Sequence, residues 1–274
     1  MTELLFRDDA YLTECPAVVV AHTPEGGIVV DRTVFYPTGG GQPGDCGVVL
    51  WGGGRLAIAT AVKVEGGQVA LVPAEAAAMP GVGEAVTMRL DWDRRHRLMR
   101  MHTALHLLSV VIPLPVTGGQ IGADRGRLDF DMPDPPDAAA LEVALNDLIG
   151  RDMPVSARWI TDAELLANPG LVKTLRVAPP MGQGRVRLVR IGAVDLQPCG
   201  GTHVARTAEI GRVSLTKIEK RGRENRRVTI ALDGGGKGSR RNWRFPLAPE
   251  PNPPVNSAQR TGGRAVEGAR LESV

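Results

Sequence analysis

The stretch DWDRRHRLMRMHTALHLLSVV (91–111) marks a change in the pattern of the sequence. Its apolar residues recur at steps of three and four positions: Leu98, Met101, Leu105, Leu108 and, just past its end, Ile112. This spacing predicts an amphipathic helix with one face against a hydrophobic core. Asp91 or Asp93 is expected to cap the helix, because an Asp side chain accepts hydrogen bonds from the free amides of a first turn.

The residues before this helix have the pattern of a small β domain. Short apolar runs alternate with Gly and Pro clusters, and no long helical period occurs before Asp91. The runs lie at 17–22, 27–31, 33–36, 47–50, 56–64, 68–72 and 85–90. Short strands separated by turns are typical of a β-barrel or a β-sandwich. Residues 1–90 are therefore predicted to form a small β-barrel domain.

Helices and strands are mixed after residue 91. A second helix is predicted over 137–150, and a short third helix begins at the capping box Thr161–Glu164. Strand-like segments lie at 125–131, 155–160, 185–191, 213–220 and 226–232. Residues 91–233 are therefore predicted to form an α+β domain. From residue 234 to 274 Gly, Pro, Arg and Ser dominate, which predicts a disordered basic tail.

The composition is that of a globular protein. The chain has 274 residues, of which 43% are hydrophobic and 23% charged. The N-terminus lacks the basic and apolar segments of a signal peptide, and no apolar run reaches the roughly 20 residues of a membrane span. Cys15, Cys46 and Cys199 are too few for a disulfide framework. The expected location is the cytoplasm.

The net charge of +3 is carried by the C-terminal tail. Residues 236–274 contain seven basic and three acidic side chains, which leaves 26 basic against 27 acidic in the rest of the chain. The body is nearly neutral, so contact with a nucleic acid must rest on local patches. Two basic segments are candidates, 94–97 at the start of the first helix and 217–228.

Two pairs of potential metal ligands stand out. His102 and His106 are four residues apart on the first predicted helix, so their imidazoles share one face. Cys199 and His203 are separated by two glycines and a threonine, a composition typical of a tight loop. Imidazole and thiolate together suit Zn²⁺. The four side chains are therefore predicted to bind one metal ion.

Other chemistry remains open at this stage. A Cys nucleophile with a His base is possible, but it leaves the helical pair unexplained. Four protein ligands favour a structural zinc site, whereas a catalytic site needs a position that water or substrate can enter. The helical pair has Thr103 where a zinc protease has its Glu, so proteolysis is not expected.

The motifs together resemble the AlaX proteins, which are free-standing relatives of the alanyl-tRNA synthetase editing domain. HTALHLL (102–108), CGGTHV (199–204) and DRTVFYPTGGGQPGDCG (31–47) occur in the same order, and the resemblance covers about residues 1–233. The glycine-rich motif and the β domain are similar to the medium-length type. The resemblance implies an α+β editing domain behind the barrel, and hydrolysis of alanine tRNA mischarged with serine, or with glycine.

The resemblance also implies roles for particular residues. By motif match the Zn²⁺ ligands are His102, His106, Cys199 and His203. Gly39, Gly40, Gly41 and Gln42 match the glycine-rich motif and are expected to contact the substrate. Gln120 and Thr103 are candidates to meet the serine hydroxyl, and Cys199 could accept a proton. Thr103 could equally be a core hydroxyl bonded to its own backbone.

Three functions are compatible with these residues. The first is a zinc-dependent aminoacyl-tRNA deacylase, with mischarged alanine tRNA as its partner and no ATP-dependent activation of amino acids. The second is a non-catalytic tRNA-binding module with a structural zinc. The third is a small-molecule metallohydrolase. One departure from the synthetases bears on the first: they often have Thr before the second histidine, where this chain has Leu105.

Overall fold

The computed structural model of the chain describes residues 1–173 and 184–233. The tail that the sequence predicts to be disordered, 234–274, lies outside the described residues. None of the described helices is long and apolar enough to cross a membrane.

Six strands close into the predicted barrel. The first eight strands are β1 (Glu3–Leu4), β2 (Glu14–His22), β3 (Ile28–Val30), β4 (Arg32–Thr33), β5 (Gly47–Trp51), β6 (Gly54–Val64), β7 (Gln68–Pro73) and β8 (Ala85–Leu90). The order around the barrel is β2-β3-β7-β6-β5-β8, with every pair antiparallel. Closure leaves no unpaired sheet edge. Alternate side chains, among them Val49, Leu56 and Met88, fill the interior.

The strand predicted over 33–36 is wrong. Only Arg32–Thr33 pairs, in parallel with β1, and the next residues run through the core without a strand partner. The backbone amides here donate hydrogen bonds to side chains instead of to a neighbouring strand. The Phe35 amide donates to Thr33 Oγ1, and the Tyr36 amide donates to Asp45. The apolar run reflects burial, since Phe35 is fully buried, and a short buried run has no period that identifies a strand.

The long helix follows the barrel directly. Helix α1 spans Trp92–Val111, and Asp91 caps it by accepting a hydrogen bond from the Arg94 amide. Its buried side chains face several directions, so the helix is more enclosed than the amphipathic pattern predicts. Trp92 packs against the barrel core and also against the second core, which surrounds α1.

The remaining elements build two sheets around α1. They are β9 (Val116–Ile121), β10 (Arg125–Asp131), α2 (Ala138–Gly150), β11 (Val155–Thr161), α3 (Asp162–Leu166), β12 (Arg185–Ile191), β13 (Asp195–Pro198), β14 (Val213–Lys220) and β15 (Asn225–Leu232). One sheet has the order β14-β15-β10-β9 and the other β11-β12-β13. Asp137 caps α2, and Thr161 with Glu164 forms the predicted capping box of α3.

Strand β9 was not predicted from the sequence. It contains Gly118 and Gly119, and glycine is depleted in strands because it packs no side chain and loses much backbone entropy. Its pairing with β10 and the contact of Ile121 N with Gly41 O, at 2.9 Å, hold it in place. This contact brings the glycine-rich turn of the barrel to the sheet of the second core.

Candidate metal centre

Four side chains from two distant parts of the chain converge on one point. Helix α1 supplies His102 and His106, and the loop after β13 supplies Cys199 and His203. One ligand atom from each residue can be chosen so that all four lie within 4.8 Å of one another. The sulfur of Cys199 is 3.5 Å from Nε2 of His102 and 3.3 Å from Nε2 of His203. The sequence prediction that these four residues meet is confirmed.

Each of the three imidazoles is held through its Nδ1 atom by a different group. His102 Nδ1 lies 2.8 Å from Gln42 Oε1, His106 Nδ1 lies 3.1 Å from Asp195 Oδ2, and His203 Nδ1 lies 3.1 Å from Thr103 Oγ1. An amide oxygen and a carboxylate accept hydrogen bonds, so Nδ1 of His102 and of His106 carries the proton. The lone pair of Nε2 is then free on these rings to bind a metal.

Thr103 completes the same arrangement at His203. Its hydroxyl donates to the Met99 carbonyl at 2.9 Å and accepts from the Val204 amide at 3.3 Å. With its proton committed to Met99, the hydroxyl accepts from Nδ1 of His203. The side chain is fully buried, so these protein contacts use its hydrogen-bonding capacity. The geometry fits the core-hydroxyl alternative for Thr103, and a catalytic role for this residue stays an untested prediction.

Gln42 reaches the centre from the barrel. Its side chain is 1% exposed, donates from Nε2 to Thr202 Oγ1 at 2.9 Å and accepts from the Thr202 amide at 3.3 Å. It therefore ties His102 to the loop that carries Cys199 and His203. The structure gives the Gln42 amide these protein partners, and its predicted contact with substrate is not tested by them.

The glycine-rich motif is a tight turn that directs Gln42 inward. Gly40 and Gly41 have φ values of 55° and 80°, in the left-handed region that favours glycine. The amide of Gln42 donates to the carbonyl of Gly39 at 2.9 Å, which closes the turn. Gly40 and Gly41 are exposed and Gly39 is half-buried, so the turn is accessible to a ligand. Their predicted role in binding substrate stays a prediction.

The electrostatics favour a bound cation. Burial raises the pKa of the Cys199 thiol, but the charges of His102 and His203 outweigh burial and hold the pKa well below its usual value. Burial lowers the pKa of His106, but its hydrogen bonds to Asp195 and Cys199 raise the pKa to about 9. Burial and the nearby His102 lower the pKa of His203 to about 3. A metal ion that displaces the extra proton from His106 would meet one thiolate and three imidazoles, which is a strong ligand set.

Asp195 is a buried carboxylate that the sequence analysis missed. Burial raises its pKa, but hydrogen bonds from His106, Gln197 and Lys173 outweigh burial and lower the pKa to about 2. Lys173 Nζ lies 2.5 Å from Oδ1. Lys173 offsets the charge of this carboxylate, so the Cys199 thiolate is the negative charge that remains for a bound cation. Asp195 precedes the CGGTH motif by four residues in a strand, and this position is the signal that could have identified it.

The donor set fits Zn²⁺. Three imidazole nitrogens and one thiolate are ligands that zinc prefers, at about 2.0–2.1 Å and 2.3 Å. Tetrahedral ligands at these bond lengths are separated by roughly 3.3–3.7 Å. The sulfur–nitrogen separations of 3.3 and 3.5 Å have this size. The held Nδ1 atoms are the second feature expected of a metal centre.

Gly201 is required by the packing of His102. A Cβ atom at Gly201 would lie 2.6 Å from Nδ1 of His102 and 2.9 Å from Oε1 of Gln42, closer than real Cβ contacts. Gly200, the preceding residue, has no atom within 4 Å of such a Cβ. The two glycines of the motif therefore differ in their packing. Gly201 leaves room for the ring of His102, whereas a Cβ atom at Gly200 would meet no other atom.

We expect Gly201→Ala to weaken metal binding strongly, because the new methyl group must displace His102 or Gln42. The metal affinity should fall by about 10–100-fold, as it does when a group that orients a ligand is lost. Metal content after dialysis measures this effect, with Gly200→Ala as the matched control that keeps the wild-type content. Equal metal content in the two variants would contradict the packing argument.

The other predicted site residues lie at different distances from the centre. Gln120 is exposed on β9, where its Oε1 accepts a 3.3 Å hydrogen bond from Arg127, and β9 lies beside the glycine-rich turn. The structure places Gln120 next to the turn, without a contact to the four ligands. Leu105 is 3% exposed and belongs to the second core, so no hydroxyl stands at that position.

The basic segment at 94–97 is used inside the protein. Arg95 is fully buried, binding Asp45, and Arg94 donates to the Gly44 carbonyl at 2.9 Å. Arg97 pairs with Asp124, and His96 stacks on Trp92 at 5.3 Å between ring centroids. Arg95 is therefore not available to RNA. In the segment 217–228, by contrast, Lys220, Arg221 and Arg223 are exposed.

The fold and the centre define a protein related to the aminoacyl-tRNA synthetases. Residues 186–229 match the family model of the threonyl and alanyl tRNA synthetase second additional domain, and this match includes Cys199 and His203. Residues 12–94 match the model of class II (A) tRNA synthetases, and this match covers the barrel.

Curated relatives identify the family. The alanyl-tRNA editing protein AlaX-M of Methanosarcina acetivorans is 35% identical over 85% of this chain and 99% of that protein. AlaX-L of Pyrococcus horikoshii is 33% identical over 93% of this chain and 65% of that protein. The alanine–tRNA ligase of Caldivirga maquilingensis is 36% identical over 80% of this chain, but only 25% of that ligase is matched. The chain belongs to the AlaX family of alanyl-tRNA editing proteins.

Proposed function

We propose that the chain is a trans-editing deacylase that hydrolyses the ester of mischarged Ser-tRNA(Ala), or Gly-tRNA(Ala), with Zn²⁺ held by His102, His106, Cys199 and His203. Membership of the AlaX family supports the reaction type. The observation that carries the proposal is the convergence of three imidazoles and one thiolate on one point, with His203 also among the residues that line an adjoining cavity.

Each part of the centre has a separate task in this proposal. A bound Zn²⁺ would polarise the ester carbonyl or lower the pKa of a water molecule. Gln42, Asp195 and Thr103 fix the rings of the three histidines, so their Nε2 atoms point to one place. The Cys199 thiolate offsets part of the charge of the cation. An aminoacyl ester is already activated, so modest assistance is enough.

Specificity would come from polar groups beside the centre. Serine differs from alanine by one hydroxyl, which a synthetase pocket rejects poorly, and a second site that binds the hydroxyl removes the error. Gln120 and the turn of Gly39, Gly40 and Gly41 lie side by side on β9 and the barrel and are the residues proposed for this contact. In this proposal residues 1–90 form a barrel domain and residues 91–233 form an editing domain.

Deacylation assays with and without metal test the proposed function. We expect the protein to release serine from Ser-tRNA(Ala) and to spare Ala-tRNA(Ala), because the contact to the hydroxyl is absent in alanine. A chelator should abolish release, and added Zn²⁺ should restore it. The measurement is the rate of loss of labelled amino acid from each tRNA.

The two other functions predict different results. A non-catalytic module with a structural zinc would unfold on chelation and would hydrolyse no substrate at any protein concentration. A small-molecule metallohydrolase would cleave free serine esters as fast as charged tRNA. Either result would reject the deacylase.

A further inference from the structure

A cavity of about 450 Å³ opens beside the metal centre. The N-terminal turn, strand β11 and strand β12 form its walls, and the residues that matter here are Arg7, Tyr11, Trp159, Arg187 and His203. Its volume lies in the range of pockets that hold small ligands. A single nucleotide with an attached amino acid is of this size, whereas a duplex is not.

Three arginines meet at this cavity, which is also lined by one carboxylate, that of Asp8. Arg7 and Arg187 line it, and Arg185 lies beside Arg7 over the same tryptophan. None of the three forms an ion pair among the described residues, and the sequence 174–183 contains no Asp or Glu. Burial and the charge of Arg185 lower the pKa of Arg7. Asp8 raises the pKa of Arg7 and of Arg187, but one carboxylate against three guanidinium groups leaves a net positive charge at the cavity.

Two buried guanidinium nitrogens have no acceptor within residues 1–173 and 184–233. They are Nε of Arg7 and Nε of Arg187. Arg187 is only 9% exposed and uses its Nη1 atom to donate to the carbonyls of Cys199 and Gly201, at 3.1 and 3.0 Å. A buried donor without an acceptor costs free energy, so an anionic ligand that supplies oxygens would stabilise this arrangement.

Trp159 holds two of these cations in position. The guanidinium carbon of Arg185 lies 4.5 Å from the ring centroid of Trp159, and that of Arg7 lies 5.6 Å away. Trp159 and Arg187 face each other across β11 and β12, so they share one side of the sheet. Arg158, the neighbour of Trp159, is exposed and paired with Leu188, which puts it on the other side.

We propose that Arg7, Arg185 and Arg187 form a phosphate-binding site for the terminal nucleotide of the aminoacylated RNA. Guanidinium groups bind phosphate oxygens through paired N–H donors. The inference rests on the proposed function. If the ester of the terminal nucleotide lies at the metal centre, the 5′-phosphate of the same nucleotide lies in the adjoining cavity. The arginines would then fix the distance between the phosphate and the ester, and His203 would mark the metal end of the cavity.

Binding of small nucleotides to the Zn²⁺-loaded protein tests the site without any hydrolysis. The probes are 5′-AMP, adenosine and inorganic phosphate, measured by calorimetry. We expect 5′-AMP to bind about 10–100-fold more tightly than adenosine, because hydrogen bonds between the phosphate and the guanidinium groups strengthen binding by about this factor. Inorganic phosphate alone should bind more weakly than 5′-AMP.

The variant is the double substitution Arg7→Met and Arg185→Met, which keeps an unbranched side chain as far as the position of Nε and leaves the contacts of Arg187 to the metal loop intact. It should bind 5′-AMP no better than adenosine and keep the wild-type metal content. Arg158→Met, on the other side of the sheet, is the matched control and should bind 5′-AMP as the wild type does.

Three outcomes would overturn the inference: equal binding of 5′-AMP and adenosine by the wild type, unchanged 5′-AMP binding by the double variant, or phosphate binding as tight as 5′-AMP. The result is separable from the proposed function. A protein that deacylates tRNA but shows no preference for 5′-AMP loses only the phosphate site. A protein that prefers 5′-AMP but never deacylates loses only the proposed reaction.

Discussion

Cys199→Ala is expected to remove the bound metal and to lower kcat/KM for Ser-tRNA(Ala) by at least about 10²–10³-fold, the loss typical of deleting one group that stabilises a transition state. Cys199 supplies the only anionic side chain among the four converging residues. Without the thiolate, three neutral imidazoles and the Asp195 carboxylate behind His106 must hold a divalent ion. The affinity for the metal therefore falls, and so does any catalysis that depends on it.

The same substitution elsewhere provides the control. Cys46 is a free cysteine whose sulfur lies 3.9 Å from an oxygen of Asp91, away from the four residues. Cys46→Ala should keep wild-type metal content and deacylation. The measurements are zinc content by atomic absorption and the rate of deacylation, both made on samples with a native circular dichroism spectrum. Full activity of Cys199→Ala with an empty centre would show that the reaction does not need the metal.

Asp45→Ala is expected to lower the free energy of unfolding by about 3–5 kcal/mol, the cost of breaking a buried ion pair by removing one partner. The side chains of Arg95 and Asp45 are 0% and 1% exposed. Nε of Arg95 donates to both oxygens of Asp45, at 2.9 and 3.1 Å, and the Tyr36 amide donates to Asp45 at 2.7 Å. The alanine leaves a buried guanidinium and a buried amide without this acceptor.

Glu14→Ala is the matched control for this prediction, because it also removes a carboxylate from an arginine. Glu14 and Arg89 lie 2.6 Å apart, but their side chains are 43% and 58% exposed. An exposed pair of this kind contributes about 0–1 kcal/mol. Urea unfolding at saturating Zn²⁺ compares the two variants. Equal losses would mean that the buried pair does not join the barrel to helix α1 as strongly as its burial implies.

The local signals in the sequence were sufficient for the elements they describe. Asp91 and the box of Thr161 with Glu164 cap their helices as predicted, because a cap depends on residues within one turn. The prediction of a strand over 33–36 failed because the buried amides of Phe35 and Tyr36 donate hydrogen bonds to the side chains of Thr33 and Asp45 instead of to a neighbouring strand. Hydrogen bonds of this kind depend on the tertiary fold, so no periodic pattern in the local sequence predicts them.

The candidate site divides in the same way. The ligand residues could be predicted because a helix puts His102 and His106 on one face and a glycine loop brings Cys199 near His203. The side chains that hold the histidine rings could not be predicted from the sequence. Gln42 meets His102 across 60 positions of sequence, and Asp195 meets His106 across 89. Arg95 lies in a basic run typical of a surface, and only its contact with Asp45 shows that it is buried.

X-ray absorption at the zinc edge tests the central claim most directly, since it counts the ligands around the ion. For protein purified with Zn²⁺ we expect one ion per chain, with three nitrogen ligands at about 2.0–2.1 Å and one sulfur ligand at about 2.3 Å. The sulfur signal should disappear in Cys199→Ala and persist in Cys46→Ala. A zinc shell without sulfur in the wild-type protein, or protein that binds no zinc when the fold is intact, would contradict the account.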